Sequence, residues 1–359
     1  MSAGNHRWRT SLAVIVGLVG FLAVVTRADA GPAGRTASAP PPVRAASLRA
    51  MCGNAAPATP KPPHHIMVIQ MENESQSSII GSTKAPYQTQ LSHQCGMHAN
   101  MWAISHPSLP NYIAENSGRN TLGTFQDCTP YFTTNKCTSA DDNLFHQMQT
   151  TGHTWRGYAE DMPSNCYSKN SGEYVVRHNP PTYFADLHAQ AGGACATYDV
   201  PMGSITTRSG LFYSDLKAGH LPTYSFIAPN LIDDAHSSSI QTGDKWLSTF
   251  IPIVTSSPNY QAGDTDIVIA YDEGAGADKV LGEDCANQAR DLAGRQPSCH
   301  IPFIVIAPYE KAGSTATAFC TLYCLTKTVE RLYGLPLLGH AADPTTHNLA
   351  VSFNLSPVG

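Results

Sequence analysis

Four short apolar runs limit what this chain can fold into more than any other feature. They lie at 66–69, 224–227, 267–270 and 303–306. Runs of this length suit strands that are covered on both faces, as in a parallel sheet. Stretches with helical character, such as 111–116 and 327–333, accompany them. The pattern therefore predicts an α/β fold whose central sheet is mostly parallel and is flanked by helices.

Residues 1–30 have the layout of a secretory signal peptide. A basic start at 6–9 precedes an apolar run at 11–25, and Ala28-Asp29-Ala30 places small residues at the outer positions of a cleavage site. The apolar run is shorter than the ~20 residues that a membrane span needs. We therefore expect cleavage after Ala30, a secreted protein and no stable membrane span. The alternative is an uncleaved N-terminal anchor.

A linker and one domain follow the predicted signal peptide. Residues 31–63 are rich in proline and alanine, a composition typical of an extended segment that packs poorly. Because no second break in composition occurs, we assign residues 64–359 to a single domain.

Ten cysteines lie beyond the signal peptide. An even number in an exported chain indicates disulfide bonds, up to five of them. Cys128 with Cys137, and Cys285 with Cys299, would each close a short loop. The sequence leaves the other pairings open.

The charge of the chain excludes some classes of partner. The formal net charge is -5, charged residues make up 14%, and no block of five like charges occurs. Such a chain has no basic patch for nucleic acid. The hydrophobic share of 42% argues against a disordered chain. We expect a compact monomer that binds no nucleic acid.

Polar pairs follow two of the predicted strands. Glu72-Asn73 comes after the first strand, and Asp272-Glu273 comes after the third. Ligands of open α/β sheets bind beyond the carboxyl ends of the strands, so the two pairs could converge. Carboxylate and amide oxygens suit a hard divalent cation. The alternative is that each pair caps a helix or starts a turn.

Ser108 is the candidate nucleophile. Pro110 stands where a helix could start, which would place Ser108 at or near the helix N-terminus. Free amides and the helix dipole favour an anion such as phosphate there. A serine oxygen beside a metal ion would be activated for attack. The alternative is that Ser108 only caps the helix.

Two histidines complete the candidates. His178 lies in an Arg-His-Asn-Pro segment, and His236 follows a pair of aspartates. A histidine can hold a phosphate oxygen or protonate a leaving group, although either residue alone could be a surface or packing residue. The chain contains no G-x-S-x-G elbow, no H-E-x-x-H motif and no P-loop.

In this combination and order, the motifs resemble the bacterial phosphoesterase family, which contains acid phosphatases and phosphocholine-type phospholipases C. The likeness extends to secreted acid phosphatases of mycobacteria, which act on phosphoinositide monoesters. The matching segments are 65–73, 106–112, 158–163, 177–180, 229–246, 271–274 and 332–336. They span most of 64–340, and the resemblance implies an alkaline-phosphatase-like fold with 64–359 as the catalytic domain.

The resemblance also implies roles for single residues. Ser108 would be the nucleophile and would form a phosphoserine intermediate. One divalent metal ion would be held by Glu72, Asn73, Ser108, Asp272 and Glu273. The phosphate contacts, with a histidine as general acid, would come from Asn111, His178 and His236. The expected substrate is a phosphate monoester, either a phosphorylated small molecule or a lipid headgroup such as a phosphoinositide.

Two departures from the family pattern keep alternatives open. Leu322 stands where the family often has histidine, and the acidic pair is Asp-Glu where some members have Asp-Asp. One alternative is a phosphodiesterase of the phospholipase C kind. The other is an exported, non-catalytic binding protein on the same fold.

Overall fold

The computed structural model describes residues 51–53, 65–120, 126–132, 134, 136–188, 193–275, 285 and 299–355. The predicted signal peptide, and the predicted linker except for 51–53, lie outside these residues, so both stay predictions. Within the described part of the chain, no helix has the length and apolar character needed to cross a bilayer.

Within these residues, ten strands form two sheets. They are β1 His65–Met71, β2 Gly96–His98, β3 Met101–Trp102, β4 Trp155–Ala159, β5 Asp199–Pro201, β6 Tyr224–Ala228, β7 Thr265–Tyr271, β8 Phe303–Ile306, β9 Ser314–Ala316 and β10 Cys320–Thr321. The large sheet has the order β5-β4-β6-β1-β7-β8-β2-β9, and β10 pairs with β3. Strands β5, β4, β6, β1 and β7 run parallel, whereas β8 is antiparallel to β7 and β2. The predicted mostly parallel sheet is confirmed.

All four apolar runs form strands of this sheet. Every residue of β6, β7 and β8 is buried, and so is every residue of β1 after the first. Burial on both faces explains why these runs are apolar throughout instead of alternating. Strand β8 runs in the direction opposite to that of its neighbours. An apolar run does not reveal strand direction, because parallel and antiparallel strands share the same side-chain period.

Helices cover the sheet. They are α1 Gln76–Ile79, α2 Pro86–Gln94, α3 Ser108–Ser117, α4 Leu144–Thr150, α5 Ala185–His188, α6 Ala194–Tyr198, α7 Leu211–Ala218, α8 Ile240–Thr255, α9 Pro258–Gln261, α10 Leu322–Tyr333 and α11 Leu349–Phe353. Three short 3₁₀ helices occupy Val176–His178, Pro180–Tyr183 and Gly339–Ala342. Both predicted helical stretches are helical, inside α3 and α10.

The two helices α3 and α10 pack against each other. Thr326 of α10 donates its hydroxyl hydrogen to the carbonyl oxygen of Glu115 in α3 over 2.6 Å. Helix α3 ends at Gly118, whose φ of 65° is left-handed. A Cβ at that position would come within 2.3 Å of the Leu338 carbonyl oxygen, so the close approach of the following chain requires glycine. These contacts hold α3, and Ser108 at its start, against the rest of the domain.

Five disulfide bonds staple the domain. They join Cys52–Cys95, Cys128–Cys137, Cys166–Cys195, Cys285–Cys299 and Cys320–Cys324. The second and fourth are the two short loops that the spacing predicted. The first ties the described residues of the predicted linker to the end of α2, and the hydroxyl of Tyr260 donates to the Met51 carbonyl oxygen beside it.

Candidate active site

Glu72 lies at the centre of the candidate site, directly after β1. Its backbone N–H donates to the Asp234 carbonyl oxygen over 3.1 Å, which joins the segments that follow β1 and β6. Its carboxylate lies 3.0 Å from Ser108 Oγ and accepts a hydrogen bond from the Tyr112 hydroxyl. His178 Nε2 lies 3.3 Å from its Oε1. The fully buried Glu72 thus brings together four separate segments, through its backbone and its carboxylate.

The polar pairs that follow β1 and β7 converge as the sequence predicts. The Asn73 backbone N–H donates to Asp272 Oδ1 over 3.1 Å, and its side-chain Nδ2 donates to Glu72 Oε2 over 3.1 Å. Asn73 has a left-handed φ of 52°, a conformation that asparagine adopts more readily than most residues. This backbone turn lets both of its N–H groups face the acidic residues.

Ser108 is the first residue of α3, with Pro107 as the N-cap residue. Its Oγ lies 3.0 Å from Glu72 Oε2 and 3.2 Å from Glu273 Oε1. The hydroxyl is therefore directed at two carboxylates and not at the amides of its own helix. Asp127 takes the capping role instead, since its Oδ1 accepts from the Leu109 N–H over 3.1 Å.

Glu273 is part of the same cluster. Its second oxygen contacts His106 Nδ1, and His106 Nε2 lies 3.8 Å from Cys299 Sγ. The glutamate of the Asp-Glu pair thus reaches Ser108 directly, and the histidine two residues before Ser108 orients it.

Both predicted site histidines lie beside this cluster. His178 is buried, its ring stacks on Tyr112 at a centroid distance of 5.3 Å, and its Nδ1 lies 3.2 Å from Asp234 Oδ2. Its two nitrogens approach the carboxylates without the alignment of a hydrogen bond. The ring of His236 lies 5.9 Å from that of His178, and its Nε2 faces Arg177 Nη2 at 3.1 Å.

Asn111 lies close to Ser108, but its amide is bonded to the loop that precedes the helix. Its Oδ1 accepts from the N–H groups of Ile104 and Ser105 over 2.9 and 3.0 Å. Its Nδ2 donates to the Ser105 carbonyl oxygen over 2.8 Å. In this arrangement Asn111 holds the loop in place, and its contact with phosphate stays a prediction.

The electrostatics of the cluster favour a cation. Burial raises the pKa of Glu72 well above its ordinary value, and the carboxylates of Asp272 and Asp234 raise it further. Burial also raises the pKa of Asp272, with Glu273 adding to the effect. Burial lowers the pKa of His178, and the positive charge of Arg177 lowers it further. The carboxylates repel one another, and the adjacent histidine is held neutral.

The residues fit a hard divalent metal ion. Asp272 Oδ2 is buried and has no hydrogen-bond partner within the part of the chain that the structure describes. The Ser108 hydroxyl faces one carboxylate oxygen of Glu72 and one of Glu273, and Asn73 donates N–H hydrogen bonds to both Glu72 and Asp272. Oxygen donors with several negative charges are the ligand set that such ions prefer.

The sequence reasoning missed four residues of this site. Tyr112 could have been found, because it lies four residues after Ser108 on the same face of a helix. Asp234 could have been found as part of the aspartate pair before His236. Arg177 was noted only as the neighbour of His178, and Asp127 offered no such signal. Their pairing joins segments about fifty residues apart, with 3.3 Å between Arg177 Nε and Asp127 Oδ2, and it exists only in the fold.

Comparison with known proteins places the chain in a family. A model of the phosphoesterase family matches residues 82–336. Phosphatidylinositol-3-phosphatase of Mycobacterium tuberculosis is 30% identical over 280 residues, which cover 78% of this chain and 80% of that protein. Phosphate-repressible acid phosphatase of Penicillium chrysogenum is 30% identical over 249 residues, which cover 67% of this chain and 52% of that protein. The chain thus spans about half the length of this fungal relative.

Solved structures show the same fold. A protein in the alkaline phosphatase superfamily from Vibrio parahaemolyticus aligns with a TM-score of 0.50 at 10% identity, covering 84% of this chain and 78% of that chain. Murine ectonucleotide pyrophosphatase/phosphodiesterase 5 aligns with a TM-score of 0.50 at 12% identity, covering 80% and 99%. At these identities the likeness establishes the fold alone, and the predicted alkaline-phosphatase-like fold is confirmed. From its extended match to the family model and its curated relatives, the chain belongs to the phosphoesterase family.

Proposed function

We propose that this chain is a secreted phosphatase that hydrolyses phosphate monoesters with Ser108 as the nucleophile. The observation that carries the proposal is the position of the Ser108 hydroxyl. It lies at the first residue of α3, at 3.0 and 3.2 Å from two buried carboxylates. The start of a helix favours the negative charge of a bound phosphoryl group.

One divalent metal ion would be held by Glu72, Asn73, Asp272 and Glu273, together with Ser108. A divalent cation held by them would supply the positive charge that stabilises a serine alkoxide and the phosphoryl oxygens. This ligand set is proposed because hydrogen bonds link the five residues to one another and because Asp272 Oδ2 is buried without a partner among the described residues.

The reaction has two steps. In the first, Ser108 Oγ, whose proton passes to water, forms a bond with phosphorus while the bond between phosphorus and the alcohol oxygen breaks. His178, which becomes protonated when the dianionic substrate lies beside it, gives a proton to the departing alcohol. In the second, water hydrolyses the phosphoserine and releases inorganic phosphate. Tyr112 and Asp234 orient Glu72 and His178 throughout.

The substrate class follows from the family. We propose a phosphorylated small molecule or a lipid headgroup, with phosphoinositides as the first lipids to test, because a curated relative is named for a phosphoinositide. Export agrees with the five disulfide bonds, which form and persist in oxidising compartments.

The test compares an aryl phosphate monoester with the matching diester, using the exported, oxidised protein supplied with divalent metal ions. Monoester turnover should be lost in Ser108→Ala and unchanged in Ser214→Ala, which removes an exposed hydroxyl on α7. Acid-quenched wild-type protein should carry one phosphoryl group on the peptide that contains Ser108. Full monoester turnover in a folded Ser108→Ala protein would refute the mechanism.

Two other results would replace the proposal. Faster cleavage of the diester would identify a phosphodiesterase of the phospholipase C kind. A folded wild-type protein that binds metal but cleaves neither substrate would identify a binding protein on this fold.

A further inference from the structure

An arginine beside the site has no part in the reaction described above. Arg177 directly precedes His178, and its side chain is only 17% exposed. One of its Nη2 hydrogens is donated to His236 Nε2 over 3.1 Å. Its Nε–H group is buried and makes no hydrogen bond with a described residue, although Asp127 Oδ2 lies 3.3 Å away. A guanidinium has five N–H donors, and most of those on Arg177 have no hydrogen-bond partner among the described residues.

Asp127 connects this arginine to the helix that carries the nucleophile. One carboxylate oxygen accepts from the Leu109 N–H over 3.1 Å, and the other faces the Arg177 guanidinium. Leu109 is the residue directly after Ser108. A single carboxylate therefore sets the position of the guanidinium relative to the first turn of α3, where an anion is favoured.

His236 is the second residue, after Asp127, that holds the Arg177 guanidinium. A guanidinium donates and does not accept hydrogen bonds, so His236 Nε2 must be the acceptor in their contact. The proton of the ring is then on Nδ1, which lies 3.0 Å from Ser237 Oγ. In this tautomer His236 contributes a lone pair to orient Arg177.

The negative charge of the substrate requires a cationic group at this acidic site. A phosphate monoester carries up to two negative charges into a site built around Glu72, Asp234, Asp272 and Glu273. The planar guanidinium fork matches two phosphoryl oxygens at once, which an ammonium group does not. Arg177 is the cationic side chain that hydrogen bonds and ion pairs join to the first turn of α3 and to the histidine pair.

We propose that Arg177 binds the phosphoryl oxygens of the substrate, and that Asp127 and His236 are positioning residues that hold its guanidinium. This inference rests on the proposed function. The same contacts permit a rival role for Asp127, in which its carboxylate occupies the anion position until substrate displaces it. The two roles predict opposite changes in phosphate affinity when the Asp127 carboxylate is lost. Loss of a positioning group weakens phosphate binding, and loss of an occupying group strengthens it.

The experiment measures kcat and KM for an aryl phosphate monoester and, by calorimetry, the Kd of inorganic phosphate. Arg177→Gln should raise both KM and Kd by about 10- to 100-fold, the range expected for a lost hydrogen bond to a charged group. Arg177→Lys should recover part of the loss, since it keeps the charge without the fork. Arg331→Gln, the same change at an exposed position of α10, should alter neither constant.

Asp127→Asn tests the positioning role. Its carboxamide oxygen can still accept from the Leu109 N–H, but its NH₂ group then faces the guanidinium as a second donor. KM and Kd should rise by less than in Arg177→Gln, and the double variant should be no worse than Arg177→Gln alone, because both changes break one interaction.

The possible results distinguish a failure of this inference from a failure of the proposed function. Wild-type turnover with an unchanged Kd for phosphate in Arg177→Gln and Arg177→Lys would overturn the inference and leave the function standing. A lower KM in Asp127→Asn would overturn the positioning role in favour of the occupying one. Phosphate binding that needs Arg177, in a wild-type protein without turnover, would support the inference and refute the function.

Discussion

The strand β7 has a buried aspartate near each of its ends, and the two ends have different chemistry. Asp272 follows the carboxyl end and Asp266 lies near the amino end, and burial raises the pKa of both well above the ordinary value. Asp272 accepts a hydrogen bond from the Asn73 N–H and lies beside Ser108 and Glu273. Asp266 pairs in register with the apolar Ile66, and its Oδ2 has no hydrogen-bond partner among the described residues.

The comparison shows that burial of an acid does not by itself make a site. At the amino end, Asp266 and the buried Glu310 raise the pKa values of nearby groups, and a protonated carboxyl group satisfies that environment. At the carboxyl end, Glu72 and Glu273 both face Ser108, and Glu72 and Asp234 both face His178. Protonation of single carboxyl groups does not explain these shared partners. The candidate site is distinguished by several carboxylates that share the same partners, and not by burial.

The largest expected difference between the two ends is in catalysis. Asp272→Asn should lower kcat/KM for a phosphate monoester by about 100-fold or more, because it removes a charged metal ligand. Asp266→Asn replaces a carboxyl group that is held neutral with an amide of the same shape, so activity should stay within about twofold of wild type. Steady-state kinetics of the two variants gives the comparison. Equal losses in both would mean that the carboxyl-end cluster has no special role.

Metal binding should differ between the two ends in the same way, with an energy at the lower limit of the catalytic effect. A divalent cation at about 100 times its Kd should stabilise the wild-type fold by roughly 2.7 kcal/mol, and a chelator should remove this stabilisation. Asp266→Asn should keep the response, and Asp272→Asn should lose most of it. Thermal unfolding with and without added metal measures both. A stabilisation that survives in Asp272→Asn would place the ion elsewhere.

The smallest expected effect, when stated per pH unit, is a pH dependence of stability that arises at the amino end. Burial raises the pKa of Glu310 from 4.5 to about 9, with Asp266 adding to it and the hydrogen bond from Ser314 opposing it. The folded protein therefore keeps a proton that the unfolded chain releases. This contribution to stability is complete below pH 4.5, is lost as the pH rises, and levels off above about 9, with a slope of at most ~1.4 kcal/mol per pH unit.

Glu310→Gln keeps the shape and removes the titration, so its free energy of unfolding should fall less steeply between pH 5 and 9. Denaturant unfolding at several pH values in that interval measures the slope. An identical slope in the variant would assign the pH dependence to other groups.

Much of the fold could be read from the chain. The four apolar runs and the helices at 111–116 and 327–333 could be predicted, because burial on both faces and helical periodicity determine which residue types are neighbours in the sequence. The convergence of Glu72-Asn73 with Asp272-Glu273 was predictable because parallel strands of one sheet end at the same edge. The two short disulfide loops followed from spacing alone.

Other features depend on partners that are distant in sequence. The antiparallel direction of β8 leaves no trace in its side-chain pattern. The bonding of Asn111 to the loop before Ser108, and the bridge from Asp127 to Arg177, depend on where each backbone segment turns.

The local amino-acid sequence was enough to specify the α/β class, the polar strand ends and the serine at the start of a helix, because each depends on residues that are neighbours in the chain. Only the tertiary structure decided which polar groups meet. Hydrogen bonds and ion pairs act over about 3 Å, and the distance between residues far apart in the chain is fixed by how the whole domain packs.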